Sequence, residues 1–295
     1  MQLTETEKKL IEKLSDGLKE AIMRELFLHS GILQEIRIRK GQHLAVTVQS
    51  RNIQLKRICT KDDLEVTLAN LCGHSLYAHA DTIREGYIVV DDGIRAGVCG
   101  HAVTVDGQIT AVRDIEFICL RIPHRFPGAG EALYAKIAEG EFRDNVLVYG
   151  KPGSGKTTVL RELILLLSQH NAPKRIAVID TRFELTAGLT IGGMVDILYG
   201  YPRHKGIISA VRTLSPEYII CDEIMSEADC DAIRTCIGAG IPVCASIHGD
   251  SREKLMKNNI IHELADDFGI WYRASIGTNS PDHSFAEEVC GSYVV

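Results

Sequence analysis

The sequence lacks long apolar runs and has few aromatic residues. Aromatic side chains make up 6% of the 295 residues, tryptophan occurs once and proline eight times. The longest strongly apolar stretch, residues 163–167, is far too short to cross a bilayer, which takes about 20 residues in a helix. The N-terminal residues read as an amphipathic helix rather than as the apolar core of a signal peptide. We therefore expect a globular protein of one or two domains that stays in the cytosol.

Cysteine motifs for metal or disulfide frameworks are also missing. The nine cysteines are odd in number, none forms a Cys-x-x-Cys pair, and most lie inside apolar runs. This distribution is typical of small buried side chains in a reducing compartment, so zinc and disulfide scaffolds are poorly supported. The nine are Cys59, Cys72, Cys99, Cys119, Cys221, Cys230, Cys236, Cys244 and Cys290.

Positive charge is in deficit over the whole chain but in excess in one segment. The chain has 33 Lys and Arg residues against 39 Asp and Glu residues, a formal net charge of -6, which argues against a surface that attracts nucleic acid everywhere. Between residues 34 and 61, however, the cations outnumber the single acid Glu35. We interpret this basic segment as a solvated face of a small sheet and keep a local binding patch as the alternative. Its cations are Arg37, Arg39, Lys40, Arg51, Lys56, Arg57 and Lys61.

The first half of the chain mixes helical and strand patterns. Two stretches have apolar residues at helical spacing, and two pairs of alternating stretches surround polar turns, which predicts hairpins. We therefore predict a smaller α+β domain over residues 1–127. Its helices are expected at 4–28 and 61–72, and its strands at 36–39, 44–48, 86–90 and 94–105.

The second half alternates short apolar runs with helical stretches. Such runs are typical of strands that are buried on both faces of a parallel sheet. We predict an α/β domain over residues 128–295, with a mostly parallel sheet covered by helices on both sides. The expected strands are 145–149, 175–179, 217–221 and 241–247, and helices are expected at 157–169 and 227–238.

Residues 150–157 carry the first chemical motif, Gly-Lys-Pro-Gly-Ser-Gly-Lys-Thr, which matches GxxxxGK[ST] between a strand and a helix. Its glycines let successive backbone N–H groups point at a phosphate, and the helix that follows adds its dipole. Lys156 would reach the β- and γ-phosphates, and the Thr157 hydroxyl would bind Mg²⁺. The predicted nucleotide-binding residues are Gly150, Lys151, Pro152, Gly153, Ser154, Gly155, Lys156, Thr157 and Thr158.

Asp222 and Glu223 form the second motif, at the end of an apolar run. Asp222 would hold Mg²⁺ through its water shell, and Glu223 would orient or deprotonate the attacking water. An acid in the position of Glu223 favours an ATPase over most kinases and GTPases, and no Asn-Lys-x-Asp run that would read guanine occurs in the chain. The expected cofactors are ATP and Mg²⁺.

Two further strand ends carry polar residues that belong at the same edge of the sheet. Asp180 and Glu184 follow one predicted strand, where a carboxylate could lie near the attacking water. His248 follows the strand that we expect between the strands of the two motifs, and it could bind the γ-phosphate.

These motifs resemble the stage III sporulation AA family of endospore-forming bacteria, cytosolic ATPases similar to the hexameric traffic ATPases of type II and type IV secretion and pilus systems. The resemblance implies a RecA-like ATPase domain, an acidic box at Asp180 and Glu184, and a histidine box at His248. It also implies charge-compensating arginines, for which Arg95, Arg121 and Arg212 are candidates. The blocks that carry it lie at 75–78, 86–88, 95–97, 153–161, 180 with 184, 215–224 and 240–249.

The chain departs from the family pattern at two places. Its acidic box reads Asp-Thr-Arg-Phe-Glu from Asp180 to Glu184, where Asp-Glu-Arg-Ser-Glu is expected. Gly100-His101 stands where Gly-Arg is usual, which removes one candidate arginine.

The resemblance implies a Mg²⁺-dependent ATPase that forms a ring, expected to be a hexamer, and powers or assembles a secretion-like channel complex during endospore formation. Its partners would be the membrane proteins of that complex, which would hold it at the inner face of a membrane. The main alternative is a nucleic-acid-binding P-loop ATPase, for which the basic segment is the chief support. A third reading is a nucleotide switch with little turnover.

Overall fold

Two units, each with its own sheet, make up the chain: Met1–His124 (unit 1) and Arg125–Val295 (unit 2). The computed structural model describes residues 3–28, 31–49, 51–90, 94–258, 260–275 and 288–291. The sheet of unit 1 is antiparallel, and that of unit 2 is parallel except at one edge. The predicted fold class, an α+β domain before an α/β ATPase-like domain, is confirmed.

Unit 1 contains six strands in the order β3-β2-β1-β6-β5-β4. Both predicted hairpins are confirmed, as β1 with β2 and as β4 with β5, although the turn at 91–93 lies outside the described residues. Strands β3 and β6 were not predicted from the sequence. β3 is largely exposed and has few apolar residues, so it lacks the pattern of a half-buried strand. The strands are β1 (Leu33–Arg39), β2 (His43–Val48), β3 (Arg51–Ile58), β4 (Tyr87–Val90), β5 (Ile94–Val105) and β6 (Gln108–Arg121).

The prediction of one helix over residues 4–28 is wrong, because the helix is interrupted before Ser15. The Ser15 backbone N–H donates to Thr67 Oγ1 at 3.2 Å, and its hydroxyl donates to Asp63 Oδ1 at 2.6 Å. These bonds to a distant helix replace the bond that would continue the first helix, so a second helix starts at Asp16. The helices of unit 1 are α1 (Glu5–Glu12), α2 (Asp16–Leu28), α3 (Lys61–Leu71) and α4 (Ala80–Arg84).

The sheet of unit 2 has seven strands in the order β13-β12-β7-β11-β10-β8-β9. All four predicted strands are present, and β11 lies between β7 and β10 as expected. The sequence analysis missed the strands at the two edges. The strands are β7 (Val146–Gly150), β8 (Ile176–Asp180), β9 (Val195–Tyr199), β10 (Tyr218–Cys221), β11 (Val243–His248), β12 (Ile270–Arg273) and β13 (Glu288–Gly291).

Helices cover both faces of this sheet, and successive strand residues alternate between two apolar cores. Val146 and Val148 belong to one core, whereas Leu147 and Tyr149 belong to the other. Because the central strands are parallel, their carboxyl ends meet at one edge, which we call the carboxyl edge. None of the described helices is long and apolar enough to span a membrane. The helices are α5 (Glu131–Glu139), α6 (Lys156–Ser168), α7 (Arg203–Thr213), α8 (Glu227–Gly238) and α9 (Arg252–Leu255).

Candidate active site

The phosphate loop, residues 150–157, connects β7 to α6 at the carboxyl edge. Gly155 has a φ of 96° directly before α6, a left-handed conformation that glycine adopts without strain. A Cβ at Gly150 would lie 2.3 Å from Ser154 Oγ and 2.7 Å from the Ala274 carbonyl oxygen. The loop therefore requires glycine at both positions, as a backbone cradle for phosphate does.

The ammonium of Lys156 lies under this loop. Its Nζ donates to the carbonyl oxygens of Gly150 and Lys151 at 3.0 and 3.1 Å, and it lies 2.8 Å from His248 Nδ1. Burial lowers the pKa of Lys156 from its ordinary value, and the Glu223 carboxylate opposes that shift. The cation is thus held by neutral acceptors that a phosphate could replace.

His248 connects Lys156 to Glu223. An ammonium can only donate, so His248 Nδ1 accepts from Lys156, and His248 Nε2 carries the proton that faces Glu223 Oε1. The other carboxylate oxygen of Glu223, Oε2, accepts from Arg182 Nη1 at 3.2 Å, and the Glu223 backbone N–H donates to Ser246 Oγ at 3.0 Å. The structure therefore brings Lys156, His248 and Glu223 together.

Asp222 belongs to a different network, which is buried. The guanidinium of Arg203 donates to Asp222 Oδ1 through Nε at 3.3 Å and through Nη2 at 2.8 Å. Its Nη1 donates to Asp229 Oδ2 at 3.1 Å. All three residues are at most 6% exposed. Burial raises the pKa of Asp222, and the positive charge of Arg203 opposes that rise.

The acidic box is organised differently from the Asp222–Glu223 pair. Asp180 is fully buried, and its carboxylate accepts from the backbone N–H groups of Glu184, Leu185 and Thr186 at 2.8, 3.2 and 2.9 Å. The Thr186 hydroxyl adds a fourth bond at 2.7 Å. The Asp180 carboxylate thus stabilises the loop that follows it. The Glu184 side chain, in contrast, is exposed.

A buried arginine on α6 fixes the same loop from the other side. Arg161 donates to the carbonyl oxygens of Glu184, Leu185 and Ala187 at 2.8, 3.3 and 2.7 Å. Burial lowers the pKa of Arg161 to about 10, against the opposing charge of Asp180. The helix that follows the phosphate loop therefore also holds the acidic box in place.

The three candidate charge-compensating arginines lie in other surroundings. Arg95 is on β5, with its guanidinium carbon 3.7 Å from the centre of the Tyr87 ring. Arg121, on β6, is 80% exposed and lies 3.6 Å from Glu35 Oε2. Arg212 is exposed near the end of α7, nine residues or about 13 Å along the helix from Arg203. The structure does not bring Arg212 to the acid pair of its own unit.

The site residues fit ATP and Mg²⁺. The hydroxyl of Ser154 is buried without a hydrogen-bond partner among the described residues, which leaves a donor inside the phosphate loop. No cluster of three or more His, Cys, Asp or Glu side chains that could hold a metal alone occurs in the described part of the chain. A magnesium ion on a nucleotide needs no such cluster, since phosphate oxygens and water complete its shell. Thr157 and Asp222 would be its protein partners.

Sequence reasoning missed the arginines that hold the acid pair. Arg182 lies inside the acidic box, but nothing in its local pattern indicates a partner 41 residues away. Arg203 carries one usable signal: it opens a helix, where a cation is unfavourable beside the positive end of the dipole. Such a position indicates that acids elsewhere in the fold compensate the charge.

Four of the seven cations of the basic segment pair with acids, and three of these acids lie outside the segment. Arg37 pairs with Glu35, Lys40 with Glu116 at 3.0 Å, Arg57 with Asp63 at 2.8 Å, and Lys61 with Glu65 at 3.2 Å. Arg39 lies over the Phe117 ring at 5.3 Å. The pairs of Lys40 and Lys61 are exposed, which is typical of a solvated surface and agrees with the interpretation favoured from the sequence. Lys40 lies in a turn and Lys61 begins α3, so this surface extends beyond the sheet.

The fold is similar to those of a solved pilus motor and of a second solved ATPase. The pilus retraction motor PilT with bound ADP matches over 92% of this chain and 82% of its own, with a TM-score of 0.67 and 16% identity. The Legionella pneumophila ATPase DotB matches over 91% of this chain and 79% of its own, with a TM-score of 0.58 and 16% identity. At these identities the likeness shows the fold alone, which is that of the RecA-like ATPases.

Within this class the chain belongs to the family described as sporulation stage III, protein AA, whose model matches residues 4–276. Stage III sporulation protein AA of Bacillus subtilis (strain 168) is 29% identical over 267 residues, which are 88% of this chain and 87% of that protein. Protein SEEDLING PLASTID DEVELOPMENT 1 of Arabidopsis thaliana is 28% identical over 162 residues, 51% of this chain but 23% of that protein. The family resemblance seen in the motifs is confirmed.

Proposed function

We propose that the protein is a Mg²⁺-dependent ATPase that works as a ring, expected to be a hexamer. The observation that carries this proposal is the contact chain from Lys156 through His248 to Glu223, between the phosphate loop and the acid pair. It links the group that would bind phosphate to the group that would activate water. Family membership supports a role in sporulation, as the motor or assembly factor of a secretion-like channel complex.

Binding would begin at the phosphate loop. Backbone N–H groups of the loop, the amino end of α6 and the Lys156 ammonium would bind the β- and γ-phosphates. Thr157 and Asp222 would hold Mg²⁺, which supplies positive charge to the phosphate oxygens when bound. Because a phosphate oxygen competes with His248 Nδ1 for Lys156, binding would release the imidazole from the lysine.

Hydrolysis would depend on Glu223, which contacts the imidazole that phosphate binding releases from Lys156. Glu223 orients the attacking water and accepts its proton, while Arg182 and the Ser246 hydroxyl hold the residue in place. His248, freed from Lys156, can rotate toward the γ-phosphate without leaving the neighbourhood of Glu223. Glu184 and Asp180 would have supporting roles. The hydrogen bonds of Asp180 are those of a residue that holds its loop in shape.

Charge compensation supports the ring. The developing charge on the γ-phosphate needs a cation that closes over the site, and Arg95, Arg121 and Arg212 remain candidates that a neighbouring subunit would supply. The membrane proteins of the channel complex would be the partners, holding the ring at the cytoplasmic face of a membrane.

Size and ATP turnover measured together test this proposal. Light scattering and phosphate release should show a ring whose activity per subunit rises with protein concentration. Mixing Glu223→Gln subunits into wild type should depress the rate beyond simple dilution, because each site depends on its neighbour. Activity strictly proportional to wild-type content, in a species that sizes as a monomer with ATP bound, would instead support the nucleotide-switch reading.

A further inference from the structure

Arg203 occupies an electrostatically unfavourable position in its own helix. It is the first residue of α7, where the exposed N–H groups give the helix a positive end. Its guanidinium is also buried, which is costly unless acids surround it. Local helix formation therefore does not explain the residue, and its two carboxylate partners, Asp222 and Asp229, do.

The contacts with Asp222 are one-sided. Both Nε and Nη2 of Arg203 donate to the same oxygen, Oδ1, and the third donor is used by Asp229. The carboxylate is thus turned so that Oδ2 lies outside the ion pair. A planar guanidinium fixes an orientation in this way, whereas a lysine ammonium provides only a point charge.

We propose that Arg203 is a positioning residue for Mg²⁺ binding: it fixes Asp222 so that Oδ2 faces the water shell of the metal. This inference rests on the proposed ATPase function. Arg203 also serves as a permanent counter-charge, so Asp222 can be buried before any metal arrives.

Asp229 helps to hold the guanidinium of Arg203 in place. It accepts from the backbone N–H groups of Met225 and Ser226 at 3.1 and 3.2 Å, as part of the capping box that begins α8. Arg203 therefore joins the first turns of α7 and α8 to the residue that follows β10. An outer partner held this firmly sets the direction of the group that contacts the metal shell.

The test is the Mg²⁺ dependence of nucleotide binding in Arg203→Lys, measured by calorimetry with the β,γ-imido analogue of ATP. We expect the half-saturating Mg²⁺ concentration to rise roughly tenfold, with binding in EDTA within about twofold of wild type. Arg125→Lys is the matched control, since Arg125 also forms a fork with a buried carboxylate, Glu162, through two bonds of 3.1 Å. It should leave the Mg²⁺ dependence unchanged.

A second variant separates positioning from general support. Asp229→Asn removes a charge but keeps a side-chain oxygen that can accept from Arg203 Nη1, so Arg203 stays against Asp222. This variant should lower the melting temperature, because the buried guanidinium loses a counter-charge, while its half-saturating Mg²⁺ concentration stays within about twofold of wild type. The inference is overturned if Arg203→Lys responds like Arg125→Lys, if it weakens binding equally with and without Mg²⁺, or if Asp229→Asn shifts the Mg²⁺ dependence as much. Absence of Mg²⁺-dependent binding in wild type would instead overturn the proposed function itself.

Discussion

The basic segment of unit 1 and the carboxyl edge of unit 2 are both rich in ion pairs, but they hold them differently. In the pair of Lys40 with Glu116 the side chains are 44% and 45% exposed, whereas those of Arg203 and Asp222 are 5% and 8% exposed. Exposed pairs contribute about 0–1 kcal/mol each and are screened by salt. Buried pairs are shielded from water, so their charges stay at fixed positions. The binding and transfer of phosphate groups require charges that are fixed in this way.

A second difference lies within the carboxyl edge itself. Asp180 is bound by backbone N–H groups of its own loop, while Asp222 and Glu223 are bound by charged side chains from distant parts of unit 2. Backbone donors keep their place as long as the loop is folded. Side-chain cations that are partly exposed can exchange one partner for another. The partners of Glu223, Arg182 and His248, are 43% and 49% exposed, so Glu223 is the carboxylate that can respond to a nucleotide.

The largest expected effect is on turnover in Glu223→Gln. The amide keeps the shape of the side chain but cannot accept a proton, so turnover should fall roughly 10²- to 10⁴-fold with ATP binding retained. Lys156→Ala should lose binding instead, because it removes the charge-assisted phosphate contacts. Phosphate release and ATP affinity distinguish the two variants.

The matched control is Glu116→Gln, which removes an acid from the exposed pair with Lys40. Turnover and affinity should stay within about twofold of wild type, because an exposed pair contributes little. Equal loss of binding in Glu223→Gln and Lys156→Ala would contradict the role given to Glu223.

The motifs of the candidate site could be identified from the sequence because each is local. The phosphate loop needs only a strand, three glycines and a helix, and the apolar run before Asp222 identifies a buried strand end. The position of His248 followed from strand order, which the structure confirms. The contacts of Arg182 and Arg203 could not be predicted, since they join residues 41 and 19 positions apart through the packing of unit 2.

The wrong prediction of one helix over residues 4–28 of unit 1 has the same cause. The periodicity of residues 4–28 continues across Ser15, and only its long-range bonds to Asp63 and Thr67 show that the helix ends there. In unit 2, the Asp180 carboxylate of the acidic box is buried and accepts four bonds from its own loop, which no local pattern indicates. A part in catalysis for the acidic box stays a prediction.

The next effect in size is on stability, in Asp180→Asn. The amide nitrogen would meet N–H groups that now donate to a carboxylate, so the free energy of unfolding should fall by roughly 2–4 kcal/mol. Urea denaturation measures this loss. Asp196→Asn, an exposed position on β9, is the control and should change stability by less than about 0.5 kcal/mol. Lost turnover with unchanged stability in Asp180→Asn would show that the carboxylate acts in catalysis.

The smallest expected effect is that of nucleic acid on the ATPase rate. Four cations of the basic segment already pair with acids, and a polyanion would have to compete with those acids for the cations. The net charge of the chain, -6, also opposes the binding of a polyanion. Single-stranded DNA or RNA should therefore bind weakly at near-physiological salt and change the rate by less than about twofold. Stimulation of several fold that declines steeply as salt rises would show that these ion pairs open for a ligand. The basic segment would then be a functional surface, and the nucleic-acid-binding ATPase would become the better account of the protein.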